Sequence, residues 1–140
     1  MSVRIAVTRG SSENSIQEAV VFWAKGRAVG NRVLAEFMFA VPNGLQLSGS
    51  SRNRARYMNA LKKRGLKPGV SDLVVPYPVA PYHGMFLELK LNSKSPISDE
   101  QHAWHRLMGE VGYYSAIALG YDDAIREIES YLTGTTGPSK

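Results

Sequence analysis

Cysteine is absent from this 140-residue sequence, which excludes disulfide bonds, thiolate zinc sites and cysteine nucleophiles together. Long apolar runs are absent as well, because no stretch of about 18 hydrophobic residues is present to span a membrane. The N-terminal segment Met1–Arg9 has too short an apolar part for a signal peptide. We therefore expect a cytoplasmic protein that has no membrane partner.

Acidic residues are missing from the whole stretch between Glu36 and Asp72. The chain has 17 basic and 12 acidic residues, a net charge of +5, and seven of the basic residues lie in this stretch, between positions 52 and 67. The basic segment consists of Arg52, Arg54, Arg56, Lys62, Lys63, Arg64 and Lys67. A charge run is commonly just a solvated face, but an uncompensated one directly before a carboxylate site favours a polyanionic ligand.

Composition and periodicity predict one α/β domain, residues 1–132. The 44% hydrophobic and 21% charged fractions are those of an ordinary globular protein. Periodicity predicts helices at 11–27, 51–64 and 98–111, strands at 33–41, 73–75, 85–91 and 113–119, and a last helix capped by Asp122. Gly65 is expected to end the second helix. An optional strand lies at 4–8, and the tail 133–140 is expected to be disordered.

Apolar spacing also predicts which side of each element faces the core. The expected core positions are Ile16, Val20, Trp23 and Ala24 on the first helix; Val33, Ala35, Phe37, Phe39 and Val41 on the first long strand; Trp104, Leu107, Met108 and Val111 on the third helix; and Ile125, Ile128 and Leu132 on the last.

The strand at 85–91 carries two ionisable residues on one side. Glu88 and Lys90 alternate with leucines, so both face the same way and are buried together if the strand is central. Burial of two such side chains costs free energy unless they pair with each other or bind a metal. Asp72, just ahead of the neighbouring strand, can converge on Glu88, and such carboxylates suit Mg²⁺ or Mn²⁺. Lys90 can then orient or deprotonate an attacking water; the plain alternative is a Glu–Lys pair on an exposed edge strand.

Two further residues are candidates for the same site. Glu13 lies at the edge of the first helix's apolar stripe and can reach a metal directly or through water, although a carboxylate at a helix start is favoured by the helix dipole alone. Gln101 completes a Ser-x-x-Gln capping box with Ser98, and its amide can also donate to a phosphate oxygen or position water. Glu18 and Glu36 are weaker alternatives.

Five motifs in this order resemble stand-alone VRR-NUC domains of the PD-(D/E)XK nuclease superfamily, small versions of which are frequent in bacteriophages. The motifs are Glu13-Asn14-Ser15-Ile16-Gln17, Val41-Pro42-Asn43-Gly44, Lys67-Pro68-Gly69-Val70-Ser71-Asp72, Met85-Phe86-Leu87-Glu88-Leu89-Lys90 and the helix start Ser98-Asp99-Glu100-Gln101-His102-Ala103-Trp104-His105. The resemblance covers roughly residues 12–132. Residues 1–10 are an extension outside it, and Ser71 stands where the superfamily often has proline.

The resemblance implies a restriction-endonuclease-like αβββαβ core with a mixed central sheet flanked by helices. It also implies a divalent metal, Mg²⁺ with Mn²⁺ able to substitute, held by Asp72, Glu88 and the Leu89 carbonyl. Lys90 is then the catalytic lysine, Glu13 the first-helix acid and Gln101 the helical glutamine of the motif.

Stand-alone members of this family resemble junction resolvases that cut branched DNA as homodimers, in a bacterial or phage-infected cytoplasm. One chain has room for one metal site, so symmetric cutting of a four-way junction calls for a C2 dimer. The basic segment would then track the DNA backbone. The alternatives are a flap, nicking or site-specific endonuclease, a non-catalytic nucleic-acid-binding protein on the same fold, and a structural protein with a basic face.

Overall fold

The computed structural model describes residues 12–42 and 49–136, and within them the chain forms four helices and six strands. The helices are α1 (Glu13–Ala24), α2 (Ser51–Lys63), α3 (Asp99–Glu110) and α4 (Tyr121–Leu132). The strands are β1 (Ala28–Val29), β2 (Arg32–Val33), β3 (Phe39–Ala40), β4 (Leu73–Val75), β5 (Met85–Lys90) and β6 (Tyr114–Leu119). None of the helices in these ranges is long and apolar enough to cross a bilayer.

A four-stranded mixed sheet in the order β3-β4-β5-β6 forms the centre of the fold. Strands β3, β4 and β5 pair antiparallel, whereas β5 and β6 are parallel and joined through α3. Parallel neighbours require such a crossover, because the chain must return to the same edge of the sheet. Apart from the β1–β2 hairpin, α2 between β3 and β4, and the last helix α4, this is the predicted αβββαβ order.

The two faces of the sheet are covered by different helices. Leu87 and Leu89 of β5 lie in the hydrophobic core with Ile16 of α1 and Ile128 of α4. The alternate residues of β5 face α3, as the contact between the rings of Phe86 and Trp104, 5.5 Å apart, illustrates. Strand β5 is therefore central and covered on both faces, which is the condition under which its two ionisable residues are buried.

The prediction of one long strand at 33–41 is wrong, because the chain turns within this range. Strands β1 and β2 form a short hairpin around Gly30, which has a φ of 60°. A 3₁₀ turn at Leu34–Glu36 follows, and the Glu36 carboxylate accepts a hydrogen bond from the Val33 N–H at 2.8 Å. This local bond stabilises the turn, so Leu34 and Met38 enter the core in place of the alternating set. Only β3 remains of the predicted strand.

Two predicted core stripes also need correction. On α3, Met108 is buried, but Leu107 and the C-cap residue Val111 are 46% and 49% exposed, so these two lie outside the buried side of the helix. Helix α4 begins at Tyr121 after Gly120, which has a φ of 93°, so Asp122 lies within the first turn and is not the cap. The buried side of α4 consists of Ala124, Glu127, Ile128 and Tyr131.

Local signals at the other helix ends were read correctly. Ser98 accepts a hydrogen bond from the Gln101 N–H, and the Gln101 side chain accepts one from the Ser98 N–H, which is the predicted capping box. Gly65, with a φ of 104°, follows the end of α2 as predicted. Of the predicted tail, Thr133 and Thr135 are hydrogen-bonded to the last turn of α4. The strand predicted at 4–8, Asn43-Gly44 and residues 137–140 lie outside the described residues.

Candidate active site

The pairing of β4 with β5 places the two central carboxylates opposite each other. Leu73 pairs with Leu87, and extending that register by one residue sets Asp72 across from Glu88. Directly opposed residues of antiparallel strands have Cβ atoms about 5 Å apart. The Asp72 carboxylate also accepts a hydrogen bond from the Leu89 N–H at 2.7 Å. Asp72, Glu88 and the backbone of Leu89 therefore come together at one end of the sheet.

Glu88 is a buried carboxylate with a mixed set of neighbours. Its side chain is 7% exposed, the Gln101 amide donates to its Oε1 at 2.6 Å, and Lys90 Nζ lies 3.7 Å from the same oxygen. Burial, followed by the negative charge of Asp72, raises the pKa of Glu88 to about 8 against the opposing effect of Lys90. Its second oxygen, Oε2, is buried and meets no hydrogen-bond donor among the described residues.

Gln101 joins the start of α3 to this carboxylate. Its Oε1 accepts from the Ser98 N–H at 2.9 Å while its Nε2 donates to Glu88. The capping interpretation of this residue is confirmed, and the other end of the same amide group is bonded to Glu88. The amide is occupied with Glu88 in this arrangement, which gives Gln101 the role of positioning that carboxylate.

A cleft of about 860 Å³ opens in front of the carboxylates. One wall is formed by Asp72, Glu88, Gln101 and the end of β3 with the residues after it, and the other by a single face of α1. The α1 residues in this wall are Glu13, Asn14, Gln17, Glu18, Val21, Phe22 and Lys25. They alternate with the core positions Ile16, Ala19, Val20 and Ala24 at helical spacing, so α1 has a core face and a cleft face side by side.

Glu13 lies where the sequence placed it, in the cleft, and its negative charge contributes to raising the pKa of Glu88. Glu18, the weaker candidate, lines the same cleft. Glu36 is instead engaged with Arg32 and the Val33 N–H away from the cleft.

The donor set suits a hard divalent cation. Within the described ranges no three His, Asp or Glu side chains form a ready metal cluster. Two carboxylates, a backbone carbonyl and several retained waters are nevertheless a common Mg²⁺ environment. Glu88 Oε2, buried and without a donor, is the kind of atom that a cation would satisfy. The residues present therefore fit the metal that the sequence motifs implied.

The basic segment lies on exposed surface. All seven of its side chains are exposed, and α2 buries none of its residues in the described structure. Lys62 and Lys67 line a second cavity, of about 290 Å³, next to the cleft. Gly69 holds the following loop against α3, since a Cβ there would lie 2.4 Å from the Glu100 backbone. The segment is thereby attached to the helix that carries Gln101.

The histidines stand apart from this constellation. His105 Nδ1 lies 2.8 Å from the Ser115 hydroxyl on the α3 side of the sheet, and burial, with a smaller effect of His102, lowers the pKa of its ring. His83 packs on Tyr113, with ring centroids 5.6 Å apart. None of the three lines the cleft.

Comparison with known proteins supports the fold directly. No family model and no curated protein sequence matches this chain. A solved structure described as a "VRR_NUC domain protein" superposes on it with a TM-score of 0.76 at 24% sequence identity. The superposition covers 94% of this chain and 98% of the other. The chain therefore has the VRR-NUC domain fold, a restriction-endonuclease-like α/β architecture, as its sequence motifs predicted.

Proposed function

We propose that this protein is a divalent-metal-dependent, structure-selective DNA endonuclease, acting as a homodimer on four-way junctions in the cytoplasm. One observation carries the nuclease proposal: Glu88 is buried opposite Asp72, beside Lys90, and one of its carboxylate oxygens meets no donor among the residues that the structure describes. A buried carboxylate in this state destabilises the fold unless a cation or proton compensates it. The VRR-NUC fold supports the same assignment.

Each residue of the proposed site has a separate task. Asp72, Glu88 and the Leu89 carbonyl would hold Mg²⁺, or Mn²⁺ in its place, with Glu13 as an outer carboxylate reaching it through water. The bound ion supplies a positive charge for the developing phosphorane and a more acidic water. Lys90 orients or deprotonates the attacking water, and Gln101 fixes the Glu88 carboxylate by its 2.6 Å hydrogen bond.

The basic segment is proposed as the DNA backbone contact. Exposed lysines and arginines of this density bind phosphates with affinity that falls steeply with salt and with little base readout. The junction preference and the dimer follow from the need for two cuts related by symmetry, since one chain offers one carboxylate site. The cysteine-free composition is compatible with a reducing cytoplasm.

Cleavage of a labelled four-way junction beside a matched linear duplex, in Mg²⁺, in Mn²⁺ and in EDTA, tests the proposal. We expect paired symmetric nicks in the junction, lost in EDTA and in Asp72→Asn. Asp122→Asn, which changes an exposed aspartate of α4 in the same way, is the matched control and should cut normally.

Each other outcome selects one alternative. Equal cutting of duplex, flap and splayed substrates would keep the metal-dependent nuclease and remove the junction preference. Binding without cutting in either metal would leave a non-catalytic nucleic-acid-binding protein. Neither binding nor cutting would favour a structural role for the basic face.

A further inference from the structure

The α1 wall of the cleft changes character along its length. Glu13, whose charge acts on Glu88, lies at one end of this wall, and Val21, Phe22 and Lys25 lie toward the other end, with Glu18 between them along the helix. Since an α-helix rises about 1.5 Å per residue, Glu13 and Phe22 lie about 13 Å apart along the helix. The cleft therefore continues from an acidic end to an apolar end that has one positive charge.

Phe22 is unusual for an aromatic residue of a core-packed helix. It is 52% exposed, although Val20 and Ala24, two positions away on either side, are fully buried. Lys25 Nζ lies 5.9 Å from the centre of the Phe22 ring. An accessible ring beside a cation offers one nucleotide both a stacking surface for its base and a charge for its phosphate.

We propose that Phe22 stacks on an unstacked base of the DNA substrate, next to the phosphate that is cut. This inference rests on the proposed function and narrows it, because bases inside a continuous duplex are covered on both faces and cannot reach the ring. The substrate class is then DNA in which base stacking is interrupted beside the cut, as at a branch point. Phe22 acts as a specificity-determining residue and has no part in the hydrolysis.

The position of the ring favours this occupant over a second protein. Phe22 lines the same cleft as Asp72 and Glu88, so a ligand that occupies the carboxylate end extends toward the ring. The cleft walls expose apolar and polar groups side by side, with Val21 next to Phe22 on α1 and Val41 and Pro42 in the opposite wall. A nucleotide has this same division into an apolar base and a charged backbone.

Phe39 supplies a matched control within the chain. Its side chain is 50% exposed, nearly the same as that of Phe22, but it does not line the cleft. Replacing either phenylalanine by alanine removes a similar exposed ring, and neither is among the buried core residues. A difference between the two variants therefore reports on the cleft and not on general surface hydrophobicity.

The experiment is a double-mutant cycle in which one change is made in the protein and the other in the DNA. Cleavage rates are measured on one branched substrate with either normal nucleotides or a single abasic residue at each position beside the cut. Base–aromatic stacking is worth about 1 to 3 kcal/mol, so at one position the abasic change should slow the wild-type protein about 5- to 150-fold. Phe22→Ala should lose this difference, Phe22→Trp should keep it, and Phe39→Ala should behave like the wild type.

The inference would be overturned if Phe22→Ala kept the wild-type ratio of cleavage rates on normal and abasic DNA. It would also be overturned if no abasic position slowed the wild-type protein. If Phe22→Ala changed the mass measured by sedimentation but kept that ratio of rates, the ring would belong to a contact between protein copies. This result would also overturn the inference. If no cleavage occurs in any metal, fluorescence of 2-aminopurine at the same positions decides. Quenching on binding to the wild type but not to Phe22→Ala supports stacking, and equal fluorescence refutes it.

Discussion

Strand β5 and helix α2 carry the charges on which the proposed activity depends, yet they place them in opposite surroundings. In β5, Glu88 and Lys90 are each 6% exposed and lie between α3 and the core. In α2 the basic residues are solvated, and no described residue of that helix is buried. The two regions are connected through the loop at Gly69, which packs on the first turn of α3.

The contrast separates charges that cost free energy from charges that do not. A buried ion pair loses its hydration, and the attraction within the pair seldom compensates the whole loss. Exposed charges remain hydrated, and salt screens them over about 10 Å at 0.1 M. Substitution of the β5 charges should therefore change the rate of the chemical step. Substitution of the α2 charges should change the affinity for DNA and its salt dependence.

The largest expected effect comes from the buried side of this comparison. Lys90→Ala should reduce the rate of cleavage at least about 100-fold, the usual contribution of a positioned proton-transfer group. DNA binding should stay within about twofold of the wild type, because Lys90 is buried and cannot contact the backbone from a distance. Single-turnover cleavage and binding in Ca²⁺ measure the two quantities.

Lys94→Ala is the control for this substitution, since Lys94 is an exposed lysine shortly after β5. It should cut at the wild-type rate. Normal cleavage by a folded Lys90→Ala protein, verified by its melting temperature, would remove the catalytic assignment of Lys90.

A smaller effect is expected where the two regions meet. Gly69→Ala would place a Cβ 2.4 Å from the carbonyl carbon of Glu100 and 2.8 Å from the Gln101 N. Overpacking of this kind costs about 1 to 3 kcal/mol, in addition to the strain of alanine at a φ of +85°. The start of α3 must shift, and the Gln101–Glu88 hydrogen bond with it, so activity should fall together with the free energy of unfolding.

Gly65→Ala is the control that distinguishes backbone strain from steric clash. Gly65 also has a positive φ, +104°, but nothing lies within 4 Å of its Cβ position. Urea denaturation of both variants measures the difference. Equal free energies of unfolding would show that the contact between the loop and α3 is looser than the structure indicates.

The smallest effect on the chemical step is expected from α2. Replacing Arg52, Arg54 and Arg56 together by alanine should reduce the slope of log Kd against log salt concentration by up to about three. Each lost phosphate contact lowers this slope by close to one. Cleavage of saturating substrate should change little. Arg126→Ala, which removes a basic residue of α4 that is paired with Asp123, is the control for net charge. An unchanged slope would exclude the triplet as phosphate contacts.

Features that depend on neighbouring residues were predictable from the sequence. The Ser98–Gln101 capping box, Gly65 after α2 and the alternation along β5 each involve groups a few residues apart, and all were found as expected. The strand predicted at 33–41 failed because alternation of apolar residues is compatible with more than one backbone path. There the Glu36 bond to the Val33 N–H and the burial of Leu34 favour a turn.

The candidate site divides in the same way. Asp72, Glu88 and Lys90 were recognisable because carboxylates and lysine inside an apolar strand are costly and therefore informative. The partner of Gln101 was not predictable, since its amide could equally have faced solvent or substrate. Phe22 was not singled out for the cleft, and Glu18 was only a weaker candidate, because α1 shows only its core stripe until the opposing wall is known.

The sequence by itself determined the order of the core elements, the choice of acidic and basic residues for the candidate site and the family resemblance. The tertiary structure alone decided that Asp72 stands opposite Glu88, that Gln101 holds that carboxylate, and that a second face of α1 closes the cleft. The physical reason is one of distance along the chain. Local hydrogen bonds and periodicity are set within a few residues, whereas the site is formed by strand register and helix packing between segments far apart in sequence.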